Sequence, residues 1–152
     1  MAERTTEEYL ERIGELERLE SPVKTSSLAE VLGLSLGSVS EMLQRLSKRE
    51  LVKYTPYAGV SLTAEGKKSF LMLTRRHRLW EVFLNKYLGI AWEDVFTEAC
   101  SLEHSTSIRV TERLAQFLNN PEYCPHGCPI PDSNNRLPKE RGILLSRLEL
   151  GR

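Results

Sequence analysis

The chain has 152 residues, 40% hydrophobic and 28% charged, with 21 acidic and 21 basic side chains. That size suits one domain or two small ones, and the composition is that of an ordinary soluble globular chain. Zero net charge gives no global sign of nucleic acid, no apolar run approaches the ~20 residues of a membrane span, and three cysteines without a secretory segment fit a reducing cytoplasm.

Thr5 or Thr6 can cap a first helix over residues 5–19, with Tyr9, Leu10, Ile13, Leu16 and Leu19 at helical spacing. Ser21-Pro22 breaks it. A second helix runs from about Thr25 to Leu32 and stops at Gly33, which tolerates the left-handed turn. Ser35 can cap a third, with Val39, Met42, Leu43 and Leu46 as its buried row. Two helices joined by a tight Gly-containing turn form a helix-turn-helix. Leu51–Thr55 and Val60–Thr63 read as strands about a turn at Pro56–Gly59, a candidate wing. Thr63 then opens a long helix to about Leu88. After Gly89-Ile90 a second long helix is expected over about 92–118, and two such helices suit packing against a partner. Residues 119–142 are rich in Pro, Asn and Gly and read as loop.

Charge is patterned along this plan. Acids gather before residue 21, and basic residues cluster at Arg45, Lys48, Arg49 and Lys53 and again at Lys67, Lys68, Arg75, Arg76 and Arg78. A basic stripe is a plausible phosphate footprint, and a solvated helical face has the same composition. Cys100, Glu103 and His104 stand at i, i+3 and i+4, so a helix places a thiol, a carboxylate and an imidazole on one face, close enough to grip one metal ion. Cys124, His126 and Cys128 form a second group in C-P-H-G-C. It reads either as a structural loop or as a metal or redox cluster.

Four segments, in this order and spacing, resemble the diphtheria-toxin-repressor family, the iron- and manganese-dependent transcriptional repressors. They are Thr5-Thr6-Glu7-Glu8-Tyr9-Leu10, Ser35-Leu36-Gly37-Ser38-Val39-Ser40, Arg75-Arg76-His77-Arg78-Leu79, and Glu98 to His104 followed by Pro125-His126-Gly127 and Pro129-Ile130-Pro131. The resemblance implies a mainly α chain. Residues 1–63 would form a winged helix-turn-helix and residues 64–142 a helical metal-binding and dimerisation domain. Residues 143–152 would open an SH3-like domain that is not completed. It also implies a non-enzymatic repressor that binds double-stranded operator DNA as a homodimer in the cytoplasm, with no membrane and no small organic substrate.

Cys100, Glu103 and His104 match the family's primary ligand motif. Glu8 stands where iron-type members carry methionine and manganese-type members a carboxylate. Glu11 matches a further manganese-type ligand, His77 a ligand of both branches, and Glu81 an ancillary position of the iron type. His77 is then expected to serve a site shared with Glu8, Glu11 and Glu103. Thiolate and imidazole favour Fe(II), whereas carboxylates favour Mn(II), so Fe(II) is expected with Mn(II) as the alternative. Zn(II), Co(II) or Ni(II) can substitute in vitro. The third helix is expected to present Ser35, Gly37, Ser38, Ser40 and Glu41 to the major groove, with Thr5, Arg45, Lys48 and Arg49 toward phosphate. Glu41 replaces the family's frequent glutamine, which suggests altered base preference or fewer direct contacts. A thiol-redox-sensing winged-helix regulator is the rival reading.

Overall fold

The computed structural model describes residues 2–139. The predicted tail at 143–152 lies outside them. The order is α1 (Ala2–Leu16), α2 (Thr25–Leu32), α3 (Leu36–Lys48), β1 (Val52–Thr55), β2 (Gly59–Leu62), α4 (Ala64–Leu88), α5 (Val95–Glu103) and α6 (Ile108–Phe117). The mainly α architecture with a small wing matches the expected class.

The predicted caps explain the helix ends. Ser35 Oγ accepts from the Ser38 N–H and Thr63 Oγ1 from the Gly66 N–H, each satisfying an otherwise orphaned first-turn amide. Gly33 and Gly89 close α2 and α4 with φ of 65° and 66°. β1 and β2 pair antiparallel with Val52 opposite Leu62 and Thr55 opposite Gly59. Val23 extends this ladder through two backbone hydrogen bonds with Val60. Tyr57 stands fully exposed at the wing tip.

The expected long helix over 92–118 is two helices. α5 ends at Glu103, and α6 restarts behind Ser107, whose Oγ accepts from the Val110 N–H. Ser105, Thr106 and Ser107 offer side-chain oxygens that compete with helical bonding, and that local chemistry outweighs the apolar periodicity. Thr106 Oγ1 bonds the Leu102 carbonyl at 2.7 Å and accepts from Trp80 Nε1 at 2.8 Å. α1 also starts three residues earlier than expected and ends at Leu16, so Thr5 and Thr6 lie within it and do not cap it, and Leu19, expected in its buried row, falls beyond it and is 85% exposed.

One core holds the winged unit: Tyr9, Leu10 and Ile13 of α1 pack with Leu28, Val39, Leu43, Leu46, Val52 and Val60. α1 therefore belongs to this unit. A second core joins Leu79 to Leu114, Ala115, Leu118, Cys124 and Ile130, and a third joins Leu84 to Val95 and Ala99. At ~1.5 Å per residue the 25 residues of α4 run nearly 40 Å and connect all three. No helix among the described residues is long and apolar enough to cross a membrane.

The N-terminal turn of α4 touches the strand entry closely. A Cβ on Gly66 would lie 1.9 Å from the Leu51 carbonyl oxygen, a backbone atom that cannot step aside. Gly66→Ala is expected to destabilise the chain by at least ~1–3 kcal/mol, the range for overpacking a tight contact. Chemical denaturation against the parent checks this.

Candidate metal centre

α4 and α5 each turn a polar stripe inward. His77 and Glu81 are one turn apart on α4, and Cys100, Glu103 and His104 share a face of α5 and its C-terminal cap. Glu103 is the most buried charged side chain of the site, 1% exposed. Its Oε2 lies 2.6 Å from His77 Nδ1 and its Oε1 lies 3.2 Å from His104 Nε2. Cys100 Sγ lies 3.8 Å from the same His77 Nδ1. Glu11 of α1 reaches Glu103 from the winged unit. Burial first, and then the charge and hydrogen bond of Glu103, push the Glu11 carboxyl up to about 8. Burial alone would lower His77. The close contacts with Cys100, Glu103 and Glu81 override it and push the imidazole up to about 12.

Two groups of donor atoms meet here, each within 4.8 Å: His77, Cys100 and Glu103, and Glu11, Glu103 and His104. A third adjoins them, formed by Glu81, Cys124 and His126. Glu81 Oε1 lies 3.0 Å from His126 Nδ1 and 3.3 Å from His77 Nε2. His77 thus stands between the groups, Nδ1 toward Cys100 and Glu103, Nε2 toward Glu81. Burial opposes the Glu81 charge, but the neighbouring His77 and His126 imidazoles and the Cys124 thiol hold its carboxyl below the usual range. Burial, reinforced by Glu81, pushes the Cys124 thiol up to about 12.

This donor set fits a divalent cation. His77 Nε2 is buried and makes no hydrogen bond, because the Glu81 contact lacks the alignment of one. Buried carboxylates from two separate elements also converge, an arrangement that ordinarily calls for a cation. Thiol, imidazole and carboxylate together suit a first-row transition ion better than calcium or magnesium.

The expected ligands fall unevenly around this centre. Glu11, His77, Glu81, Cys100, Glu103 and His104 fall in adjoining donor groups, but Cys100 and His104, expected to grip one ion with Glu103, belong to separate groups that share Glu103. Glu8 does not join them: its side chain is half exposed and pairs with Arg4 at 3.2 Å. The buried row Thr6, Tyr9, Leu10 and Ile13 sets the rotation of α1; at ~100° per residue Glu7 and Glu11 share one flank of that row, and Glu8 falls on the other flank. Glu7, one turn before Glu11, points inward instead. Its Oε2 lies 2.7 Å from His104 Nδ1 and its Oε1 3.6 Å from Arg76. Sequence reasoning missed Glu7, although its place beside the apolar stripe was a usable signal. Cys128 lies outside the donor groups. Its carbonyl accepts from the Cys124 N–H, so it shapes the loop. Glu81 sits with Cys124 and His126, a grouping that the sequence did not indicate.

On the opposite end of the winged unit, α3 exposes Gly37, Ser38, Glu41, Arg45 and Lys48 along one side. A Cβ at Gly37 would meet nothing within 4 Å, so internal packing does not require glycine there. Ser35 and Ser38 share a hydroxyl hydrogen bond at 2.9 Å, and Ser40 is half-buried. Glu41 and Arg45 form an exposed pair at 2.5 Å, so the carboxylate does not face outward unpaired. Arg49 donates to Thr6 Oγ1 at 2.9 Å and so links α3 to α1, while Thr5 is exposed.

Two comparisons with protein-family models cover this frame. Residues 1–60 match the iron dependent repressor N-terminal DNA binding domain. Residues 63–132 match the iron dependent repressor metal binding and dimerisation domain. The chain belongs to the diphtheria-toxin-repressor family. An iron-dependent repressor of Mycobacterium leprae is 37% identical over 127 residues, covering 84% of this chain and 55% of that one. An uncharacterized HTH-type transcriptional regulator of Methanocaldococcus jannaschii is 34% identical, covering 74% of this chain and 90% of its own length. A solved manganese-dependent transcriptional repressor in complex with manganese is 36% identical with a TM-score of 0.81, covering 90% of this chain and 63% of that chain. The chain thus spans about half the length of the mycobacterial relative.

The loop that carries Cys124 and His126 is held by two arginines of α4. Arg75 is 8% exposed, grips Glu112 of α6 through Nε and Nη2 at 3.2 and 3.1 Å, and donates Nη1 to the Pro131 carbonyl at 2.8 Å. Arg78 donates to the Pro129 carbonyl. Arg75→Met is expected to leave the winged unit intact and to speed amide exchange across residues 122–132 by at least tenfold. That factor corresponds to loss of ~1.4 kcal/mol, just under the ~1.5–3 kcal/mol of a hydrogen bond to a charged group. Hydrogen–deuterium exchange mass spectrometry measures it.

Proposed function

We propose that this chain is a metal-dependent transcriptional repressor that binds double-stranded operator DNA as a cytoplasmic homodimer when loaded with a divalent cation, Fe(II) in the first instance. Residues 1–63 read DNA and residues 64–142 bind metal and dimerise. The observation that carries this reading is the buried meeting of His77, Cys100 and Glu103 with Glu11 of the winged unit. Family membership supports it.

When bound, the cation supplies positive charge between carboxylates that otherwise oppose one another. The chain's own residues do the rest. Glu103 and His104 come from α5, Glu11 from α1, and α1 is packed into the core of the winged unit. The distance between Glu11 and Glu103 therefore sets how the recognition helix sits relative to the dimerising half. In a homodimer two such helices must match successive major grooves, about 34 Å apart. The coupling is reciprocal: cation binding and DNA binding strengthen each other by the same factor. Gly37, Ser38 and Glu41 are placed toward bases, and Lys48 toward phosphate.

The thiol of Cys100 beside the His77 imidazole favours Fe(II). The pair of carboxylates Glu11 and Glu103 favours Mn(II), the second reading, and the likeness to a manganese-dependent repressor supports that alternative. Glu81, Cys124 and His126 are a second candidate site of the same centre.

Fluorescence anisotropy with a duplex from upstream of this gene tests the reading, titrating Fe(II) anaerobically and Mn(II) in parallel. Chelator-reversible binding is expected, at lower Fe(II) than Mn(II). Glu103→Gln is expected to abolish the metal response while circular dichroism stays unchanged. Equal binding with and without chelator would sink the proposal.

The dimer is proposed to form on the aromatic face of α4 and α6. Phe83, Tyr87 and Phe117 cluster there with ring centroids 5.0–6.0 Å apart, and Tyr87, Val110 and Phe117 are 47–59% exposed. Such a contiguous apolar patch marks an association surface. Phe117→Arg is expected to sediment as a monomer at concentrations where the parent is dimeric, and to lose operator affinity.

A further inference from the structure

The contact between Glu7 and His104 joins residues 97 positions apart and the two halves of the chain. It is largely shielded: the Glu7 side chain is 19% exposed, His104 8% and Arg76 14%. One carboxylate oxygen of Glu7 takes His104 Nδ1 at 2.7 Å, and the other lies 3.6 Å from Arg76 of α4. The other ring nitrogen of His104 faces the Glu103 carboxylate at 3.2 Å, inside the donor group that includes Glu11.

Imidazoles that bind metal ordinarily donate their second N–H to a carboxylate, which fixes the tautomer and the ring plane. Here that carboxylate comes from a helix of the winged unit rather than from α4, α5 or α6. Glu7 and Glu11 are one turn apart on the same face of α1. One reaches the far nitrogen of His104 and the other reaches Glu103. Arg76 steadies the Glu7 carboxylate from α4.

We propose that Glu7 is a positioning residue for the metal centre. It holds His104 with Nδ1–H bonded outward and Nε2 turned toward Glu103 and Glu11, and so makes the placement of α1 part of the site. This deepens the metal-centre reading above and rests on it. Any shift of the winged unit that withdraws α1 frees the His104 ring, in addition to removing Glu11. The DNA-binding half therefore acts on cation affinity through two contacts, one direct and one through an imidazole.

The test uses the full chain without DNA. Co(II) affinity is followed by visible absorption for the parent, Glu7→Leu and Glu7→Gln, with circular dichroism to check folding. Loss of an outer carboxylate on a ligand histidine typically weakens metal binding 10–100-fold. That loss is expected for E7L. E7Q retains a carbonyl acceptor for Nδ1–H and is expected to recover most of it. In the metal-free chain labelled with 15N-histidine, a downfield Nδ1-bound proton is expected for His104, absent in H104Q and in E7L. Parent-like Co(II) affinity in E7L, persistence of that proton in E7L, or an E7Q as weak as E7L would each overturn the proposal. A parent chain that bound no Co(II) would overturn the metal-centre reading itself, which is distinct from a loss confined to the Glu7 variants.

Discussion

Glu103 is a carboxylate with almost no access to water, and the rest of the centre is arranged around it. An isolated buried carboxylate is costly, so partners must meet it from every side. His77 comes from the neighbouring helix, His104 from the adjoining cap and Glu11 from the winged unit. Two of these partners bring positive or neutral nitrogen and the third brings a second carboxyl. The site is therefore underprovided with positive charge and has donor atoms to spare, conditions suited to a cation.

α1 is the element on which communication depends. Its apolar stripe commits it to the winged core, and its flanking edge commits Glu7 and Glu11 to α5. Because one rigid helix carries both sets of contacts, the state of the centre and the position of the winged unit cannot vary independently. Further links tie the same unit together. Arg49 of α3 bonds Thr6, and the Leu62 N–H of β2 donates to Glu17 just beyond α1 at 2.8 Å. Motion at α1 is thereby shared with α3 and the wing.

The loop after α6 shows how a segment with little regular structure becomes precise. Arg75 and Arg78 use carbonyls of the proline-rich stretch as acceptors, and Ile130 is 3% exposed in the second core. Prolines limit the conformations of the free loop, so less entropy is lost on fixing it. Cys124 and His126 are then presented to Glu81, and the chain of contacts runs on through His77, Glu103 and His104 to Glu7.

Local physics made much of this legible from the sequence. Ser35 and Thr63 cap, Gly33 and Gly89 terminate, and the apolar periods of the first and third helices name most of their buried rows, Leu19 being the exception, because each depends on neighbours within a turn or two. The spacing of Cys100, Glu103 and His104 placed three donors on one helix face for the same reason. Where local signals competed, as at Ser105 to Ser107, periodicity alone joined two helices that are separate. Tertiary structure decided what no spacing contains: that α1 turns Glu7 and Glu11 inward and Glu8 outward, that Glu81 joins Cys124 and His126, and that His77 lies between the two donor groups. Those outcomes follow from how whole helices rotate and cross to bury their apolar stripes. A carboxylate's final partner is fixed by that packing, over separations of up to 97 residues, and not by the few residues beside it.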